Sequence, residues 1–147
     1  MTDSVERAAR ASGPPLPATV ATKRAEIDAL YAGDDVEAIA TRLAAAKSEL
    51  GRAAFAALGA VSPTSAKVVL AALRRASKLP SLRTCLEQEY RTSCSFLSVH
   101  DFVEGIRAAV VDKDRSPRWR PGRLEDISDD TVADILAGPA GLEPPWG

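Results

Sequence analysis

The side chains best suited to nucleophilic or acid–base chemistry lie between residues 94 and 104. A cysteine nucleophile needs a nearby base, and Cys94 lies six residues before His100, the single histidine of the chain. A helix end is expected between them, and no recognisable catalytic context surrounds them. We interpret both as structural residues, with a nucleophile–base pair as the alternative.

Two carboxylates, Asp101 and Glu104, follow directly. Such a pair is suited to acid–base work, in which one group donates a proton and the other accepts one. Their spacing is also that of a capping box, in which the two side chains bind amides at the start of a helix. We predict that Asp101 and Glu104 are structural caps of a helix that begins near His100.

Basic side chains are concentrated from Arg107 to Arg123, where six cationic residues stand against two acidic ones. Lysine binds phosphate groups as a point charge, and an indole ring stacks on nucleic bases. Lys113 and Trp119 are therefore candidates for contacts with a phosphate-bearing ligand. The alternative is a solvated turn whose arginines pair with the acidic residues between Glu125 and Asp134.

The cysteine and histidine content argues against a disulfide or a metal site. On one helix Cys85 and Cys94 would lie about 13.5 Å apart, beyond the roughly 7 Å limit for the Cα atoms of a disulfide. With His100 they supply too few ligands for a typical zinc site. We predict reduced core thiols, no metal and no cofactor.

Apolar residues recur at helical spacing along most of the chain, so we predict an all-α protein. Residues 1–18 include the Pro-rich segment Ser12–Pro17 and are predicted to be flexible, residues 19–138 to form a helical domain, and residues 139–147 a tail. The predicted helix starts are at Asp34, Ser48, Ser62 with Pro63, Asp101 and Ser128.

Three predicted helices carry apolar faces that we expect to be buried. These faces are Ala66, Val69, Leu70 and Leu73; Leu82, Leu86, Tyr90, Cys94 and Leu97; and Phe102, Val103, Ile106 and Val110.

The overall charge excludes one class of partner. The chain has 147 residues with 19 basic and 20 acidic side chains, whereas nucleic-acid-binding domains usually have a basic excess. No apolar run approaches the length of a membrane span. Charged residues from Asp3 onward interrupt any signal peptide. We therefore predict a cytoplasmic protein with no nucleic-acid or membrane partner.

Three segments are distinctive in sequence: Ser62–Lys67, Glu89–Arg91 and His100–Pro121. In this order and spacing they resemble the C-terminal part of 3-hydroxyisobutyryl-CoA hydrolases, a branch of the enoyl-CoA hydratase/isomerase (crotonase) superfamily. The segment from Ala25 to Ile39 is similar to the helical region that precedes them, so the resemblance covers nearly the whole chain.

The resemblance implies acyl-CoA thioester hydrolysis in valine degradation, with acyl-CoA as substrate. In that family the α/β spiral core, which holds the catalytic groups, lies N-terminal to these segments. The resemblance therefore implies a helical C-terminal region that is inactive alone, and it assigns no catalytic residue here. Lys113 and Trp119 would lie at the edge of the CoA site.

The same resemblance implies that the partner is a crotonase-core polypeptide or a second copy of the chain. Without a core, apolar patches are expected to be exposed, particularly around Trp119 and Trp146. The alternative function is a non-catalytic helical interaction module, or a gene remnant, that associates with crotonase-fold proteins.

Overall fold

A computed structural model describes residues 19–146, so the segment predicted to be flexible, residues 1–18, lies outside the described part. All regular structure in the described residues is helical, which confirms the all-α prediction. The elements are α1 (Thr19–Thr22), α2 (Arg24–Leu30), α3 (Val36–Ala45), α4 (Glu49–Ala60), α5 (Pro63–Ala76), α6 (Leu82–Phe96), α7 (His100–Ile106), a π-helical turn (Arg107–Val111), a 3-10 turn (Leu124–Asp126) and α8 (Asp129–Ala137).

The described residues divide into two compact units, with the boundary between Ala32 and Gly33. Of the described residues, the first unit contains α1 and α2, and Arg24 forms an ion pair with Asp28 one turn later on α2. The second unit contains α3 to α8 and every residue considered above for chemistry.

Local caps define most helix starts in the second unit. Three predicted caps accept a hydrogen bond from the amide three residues later: Ser48, Ser62 and Ser128. The cap of α3 is Asp35 rather than Asp34, because the Asp35 carboxylate accepts from the Ala38 amide at 2.9 Å. Ser81 and Thr84 cap α6 reciprocally.

The prediction that Asp101 and Glu104 are caps of α7 is wrong. The helix begins after Val99, and no side chain forms a cap hydrogen bond there. Both carboxylates are bound instead to groups on the segment that follows α7, so neither serves the first-turn amides of its own helix.

The main apolar core forms where α8 packs against α5 and α6. Its buried residues are Val68, Ala72, Ile127, Val132, Ile135 and Leu136. Helix α3 buries Val36, Ile39 and Leu43 and packs against α4 and, with fewer contacts, against α5.

The apolar faces predicted for α5, α6 and α7 are largely exposed, so the expectation that this chain buries them is wrong. Leu73 and Val103 are each 63% exposed and Leu82 is 75% exposed. The buried positions on α6 and α7 include polar residues, namely Gln88, Thr92 and Asp101. Apolar patches are therefore exposed among the described residues, as the family resemblance led us to expect.

The segment predicted to be a tail runs irregularly against α6. Arg91 donates to the carbonyl of Leu142 at 2.7 Å, and Arg83 donates to that of Trp146 at 3.0 Å. The Trp146 ring packs edge-on against Tyr90, with centroids 5.3 Å apart. Trp146 therefore has a partner within the chain, although it remains partly exposed.

Among residues 19–146, no single helix is long and apolar enough to cross a bilayer. Only α4 and α5 taken together have the necessary length and composition, and they are bent by 116° relative to each other.

Candidate functional site

Arg107 lies at the centre of a hydrogen-bonded cluster at the end of α7. Its guanidinium donates hydrogen bonds to both carboxylate oxygens of Glu104, at 2.8 and 2.9 Å. It also donates to Asp112 at 2.6 Å and Asp114 at 2.7 Å. A fifth contact reaches the carbonyl of Ser116 at 3.2 Å. Every N–H donor of the guanidinium is thus used within the protein, and Arg107 has none left for a ligand.

The carboxylates of α7 hold residues 112–120, which we call the basic loop. Glu104 accepts from the Arg118 amide at 2.7 Å, and Asp101 accepts from the Arg120 amide at 2.8 Å. Asp101 is 3% exposed and also accepts from the Ser62 hydroxyl at 2.5 Å. Asp101 therefore joins the loop, α7 and the start of α5 through one buried carboxylate.

The buried carboxylate of Asp101 contacts a serine and a histidine, Ser62 and His100. These are the residue types of a hydrolytic triad, but their hydrogen bonds connect them in a different order. His100 Nδ1 lies 3.1 Å from Asp101, on the opposite carboxylate oxygen from Ser62. In a triad the histidine lies between the serine and the carboxylate so that it can take the serine proton. Here the carboxylate is in the middle, and the arrangement lacks a base for a serine nucleophile.

Both cysteines lie on α6 as free, half-buried thiols, so they are less buried than the core thiols predicted from the sequence. Cys94 is next to Tyr90, and burial, with a smaller effect of Cys94, raises the pKa of the Tyr90 hydroxyl. Within residues 19–146 the only hydrogen-bond partner of the His100 ring is Asp101. The alternative of a Cys94–His100 pair therefore has no support in these contacts.

Four cations of the basic loop are exposed and form no ion pair with any described residue: Lys113, Arg115, Arg118 and Arg120. Lys113 and Arg115 have φ values of 57° and 53°, in the left-handed region that non-glycine residues rarely adopt. The alternative predicted from the sequence was that the arginines pair with the acidic residues between Glu125 and Asp134. One such ion pair is present among the described residues, between Arg123 and Glu125 at 3.3 Å. The loop therefore presents unpaired positive charge to solvent.

Trp119 braces the basic loop against two helices. Its Nε1 donates to the carbonyl of Ala60 at 3.2 Å. Its six-membered ring lies against Gly105, where an added Cβ would be 3.5 Å from Cη2. These contacts occupy the indole nitrogen and part of the ring, and stacking of Trp119 on a ligand stays a prediction.

No group of three or more histidine, cysteine or acidic side chains among the described residues is arranged to hold a metal ion. A cleft of about 250 Å³ is lined in part by acidic side chains, which include Asp34, Asp35 and Asp129. Lys67 lies in this cleft, where it pairs with Glu37 and donates to the carbonyl of Ile127. A lysine there balances part of the negative charge.

The Arg107 cluster makes stability depend on pH in the acid range. Hydrogen bonds from Arg107, and next from the Arg118 amide, lower the pKa of Glu104 from 4.5 to about 2. A carboxylate whose pKa is lower in the folded state than in the unfolded state stabilises the fold at pH values above its unfolded-state pKa. That stabilisation is lost as the pH falls to the folded-state pKa, because the group becomes protonated. The free energy of unfolding is therefore expected to fall between pH 4.5 and about pH 2.

Urea denaturation across that interval measures this fall. In Glu104→Gln the fall is expected to be shallower, because the group no longer titrates, while Asp114, whose pKa is lowered by Arg107, still contributes. An unchanged pH profile in Glu104→Gln would show that Glu104 does not cause the acid sensitivity.

The helical arrangement occurs in solved structures of larger proteins. A carnitinyl-CoA dehydratase from Mycobacterium thermoresistibile matches 95% of this chain with a TM-score of 0.80 and 35% identity, over 43% of its own length. An enoyl-CoA hydratase from Rhodobacter sphaeroides matches 93% with a TM-score of 0.77 and 35% identity, over 42% of its length. The fold is therefore the helical portion of a crotonase-type protein.

Sequence comparison identifies the family. The profile described as Enoyl-CoA hydratase/isomerase matches residues 1–136. Mitochondrial 3-hydroxyisobutyryl-CoA hydrolases from Gallus gallus and Dictyostelium discoideum are each 38% identical, over 72% and 73% of this chain. The chain belongs to the enoyl-CoA hydratase/isomerase family. It spans 27% and 28% of the length of these two hydrolases.

The predicted cytoplasmic location is wrong by the same comparison. The hydrolases from Gallus gallus, Dictyostelium discoideum and Xenopus laevis are all named as mitochondrial proteins. The prediction depended on reading the charged N-terminal residues as the absence of a secretory signal, a criterion that does not distinguish cytoplasmic from mitochondrial proteins.

Proposed function

We propose that this chain is the C-terminal helical portion of a 3-hydroxyisobutyryl-CoA hydrolase of valine degradation, and that it contributes to acyl-CoA binding rather than to thioester cleavage. The observation that carries the proposal is the 38% identity to two such hydrolases over almost three quarters of the chain. The contacts around α7 support a binding role, because they organise an exposed cationic loop.

Thioester hydrolysis requires groups that residues 19–146 do not bring together. Water adds to the carbonyl carbon, the carbon–sulfur bond breaks, and the CoA thiolate takes a proton. The step needs donors aimed at the developing oxyanion and a base beside the water. Neither the Ser62–Asp101–His100 chain nor the thiol of Cys94 supplies that arrangement, so turnover depends on the remainder of the fold.

The exposed apolar faces support an association with that remainder. Val103, Val110 and Val111 are each more than 60% exposed, on one helix and its π-helical extension. Contiguous apolar surface of this kind usually marks an interface. The partner we propose is a crotonase core, either on the same polypeptide or on a separate one, and the second possibility is another copy of this chain.

Lys113 is our candidate for a contact with a CoA phosphate, and Trp119 for a contact at the adenine end. Lys113 is exposed and unpaired among residues 19–146, as a phosphate ligand must be before binding. Trp119 has less freedom, because its indole nitrogen is bound to Ala60. Of the two, the contacts favour Lys113.

The test is release of CoA from 3-hydroxyisobutyryl-CoA by the purified chain, followed chromatographically so that Cys85 and Cys94 add no thiol signal. We expect no release above background from the chain alone. We expect release when the chain is mixed with the Gallus gallus hydrolase truncated to omit the matched region, which should itself be inactive. The intact Gallus gallus protein is the positive control.

Turnover by the chain alone would contradict the proposal that it contributes to binding and not to thioester cleavage. Cys94 and His100 would then be the first candidates for catalytic residues. If the mixture released no CoA but the chain bound the truncated enzyme, a non-catalytic interaction module would be favoured. If there were neither CoA release nor binding, a gene remnant would be favoured.

A further inference from the structure

The basic loop is fastened to α7 at alternate residues. The side chains of Asp112 and Asp114 bind Arg107, and the amide and carbonyl of Ser116 bind Asp114 and Arg107 respectively. The amides of Arg118 and Arg120 continue the series by binding Glu104 and Asp101, as described above. Two residues between these anchors, Lys113 and Arg115, are exposed.

The backbone at Lys113 and Arg115 would not adopt its conformation unaided. Non-glycine residues in the left-handed region are strained, and they persist where surrounding contacts determine the conformation. The contacts around these two residues include those of Arg107 with the flanking Asp112 and Asp114, and a hydrogen bond of 3.0 Å from the Arg115 amide to the carbonyl of Ala108. Arg107 therefore helps to hold the stretch in which the strain occurs, from both sides of Lys113.

Arg107 also separates the charges of this region. Its guanidinium draws the carboxylates of Glu104, Asp112 and Asp114 to one side of the loop. The cations between and after them are left without an acidic partner in the described part of the chain. An approaching phosphate therefore meets unpaired cations on a braced loop.

We infer that Arg107 is a positioning residue, which holds the 112–120 backbone so that Lys113 and Arg115 are preorganised to bind the phosphates of CoA. This inference rests on the proposed function, because it takes CoA as the ligand. Arg107 does not touch the ligand, since its donors are all used internally.

The experiment is titration of the full chain with CoA, measured by NMR or calorimetry, in wild type and four variants. Arg107→Lys keeps the charge but loses the forked geometry. We expect it to weaken CoA binding about tenfold, the loss expected when one charge-assisted hydrogen bond fails to form. Lys113→Ala should weaken binding similarly. Arg83→Lys is the matched control, because Arg83 pairs with Glu87 on α6, and it should bind CoA as wild type does.

Asp114→Asn separates positioning from simple electrostatics. It removes a negative charge beside the loop, so an electrostatic patch alone would bind CoA more tightly. If Arg107 acts by positioning, the variant binds more weakly, because one anchor of the loop is lost. Asp114 is substantially exposed, so the substitution does not put folding at risk. Amide exchange at Ser116, Arg118 and Arg120, compared with α8, reports whether the loop alone has loosened.

Weaker CoA binding in Arg107→Lys and Asp114→Asn, with faster exchange confined to the loop, is the expected result. Unchanged affinity in Arg107→Lys, or tighter binding in Asp114→Asn, would overturn the positioning role while leaving CoA as the ligand. If wild type itself did not bind CoA, the CoA-binding part of the proposed function would be refuted together with this inference.

Discussion

Replacing Asp101 with alanine is expected to lower the free energy of unfolding by about 2–3 kcal/mol, because removing a buried acceptor leaves its donors unsatisfied. The carboxylate is almost fully buried and accepts from the Ser62 hydroxyl and the Arg120 amide. Ser62 is itself buried, so water does not easily replace the lost partner. Chemical denaturation followed by circular dichroism measures the change.

Asp101→Asn is the matched control for this substitution. Asparagine keeps an acceptor for the Arg120 amide and can donate to the Ser62 hydroxyl, which accepts as readily as it donates. We expect it to cost about 1 kcal/mol, the scale of one altered hydrogen bond. If Asp101→Ala were no less stable than Asp101→Asn, the buried connections of the carboxylate would not contribute to stability.

Replacing Gly138 with alanine is expected to destabilise the chain by about 2–5 kcal/mol, the sum of a backbone penalty and a steric one. Gly138 ends α8 with φ 84° and ψ 169°, a combination that side-chain-bearing residues avoid. An added Cβ would lie 2.7 Å from the Cβ of Arg91 and 3.2 Å from its Cα. Because Arg91 also binds the carbonyl of Leu142, the C-terminal segment should loosen as well.

Gly105→Ala provides the control, since it makes the same chemical change inside a helix. Its Cβ would make an ordinary contact of 3.5 Å with Trp119, and its φ is not positive. Alanine has a higher helix propensity than glycine by about 1 kcal/mol, so this variant should match or slightly exceed wild type. Thermal melting compares the two variants, and equal melting temperatures would refute the constraint at Gly138.

Arg107 is the residue of the site whose role was missed in the sequence. The sequence pattern groups it with the other basic residues from Arg107 to Arg123, either as part of a ligand-facing patch or as part of a solvated turn that pairs with the acidic residues between Glu125 and Asp134. The signal for its actual role was present: acidic residues lie three residues before it and five and seven residues after it. That spacing does not identify partners, because the last two lie beyond the helix, where the path of the chain is unknown from sequence.

The role of Asp101 also could not be predicted from sequence spacing, because its partners are even more distant along the chain. Its partners Ser62 and Arg120 are 39 and 19 residues away. A capping box is a local pattern, and it is one of several uses of two carboxylates at that spacing. Asp101 binds the Arg120 amide because the basic loop runs back alongside α7 in the folded chain. It therefore does not bind the first-turn amides of its own helix, as a local capping pattern would predict.

The sequence by itself determined the helices and most of their starts. Ser48, Ser62 and Ser128 were identified correctly because a cap acts within three residues, so its physics is contained in the local sequence. The family resemblance was identifiable for a related reason, since the most specific of its three segments, His100–Pro121, is continuous in the sequence.

Only the tertiary structure decided which faces are buried and what the charged residues bind. Periodicity places Val103 and Val110 on one side of a helix, but burial depends on whether another element covers that side. Within residues 19–146 none covers them fully, because α8 packs on α5 and α6 rather than on α7. Local sequence determines the helices, whereas burial and partner choice depend on contacts between distant residues.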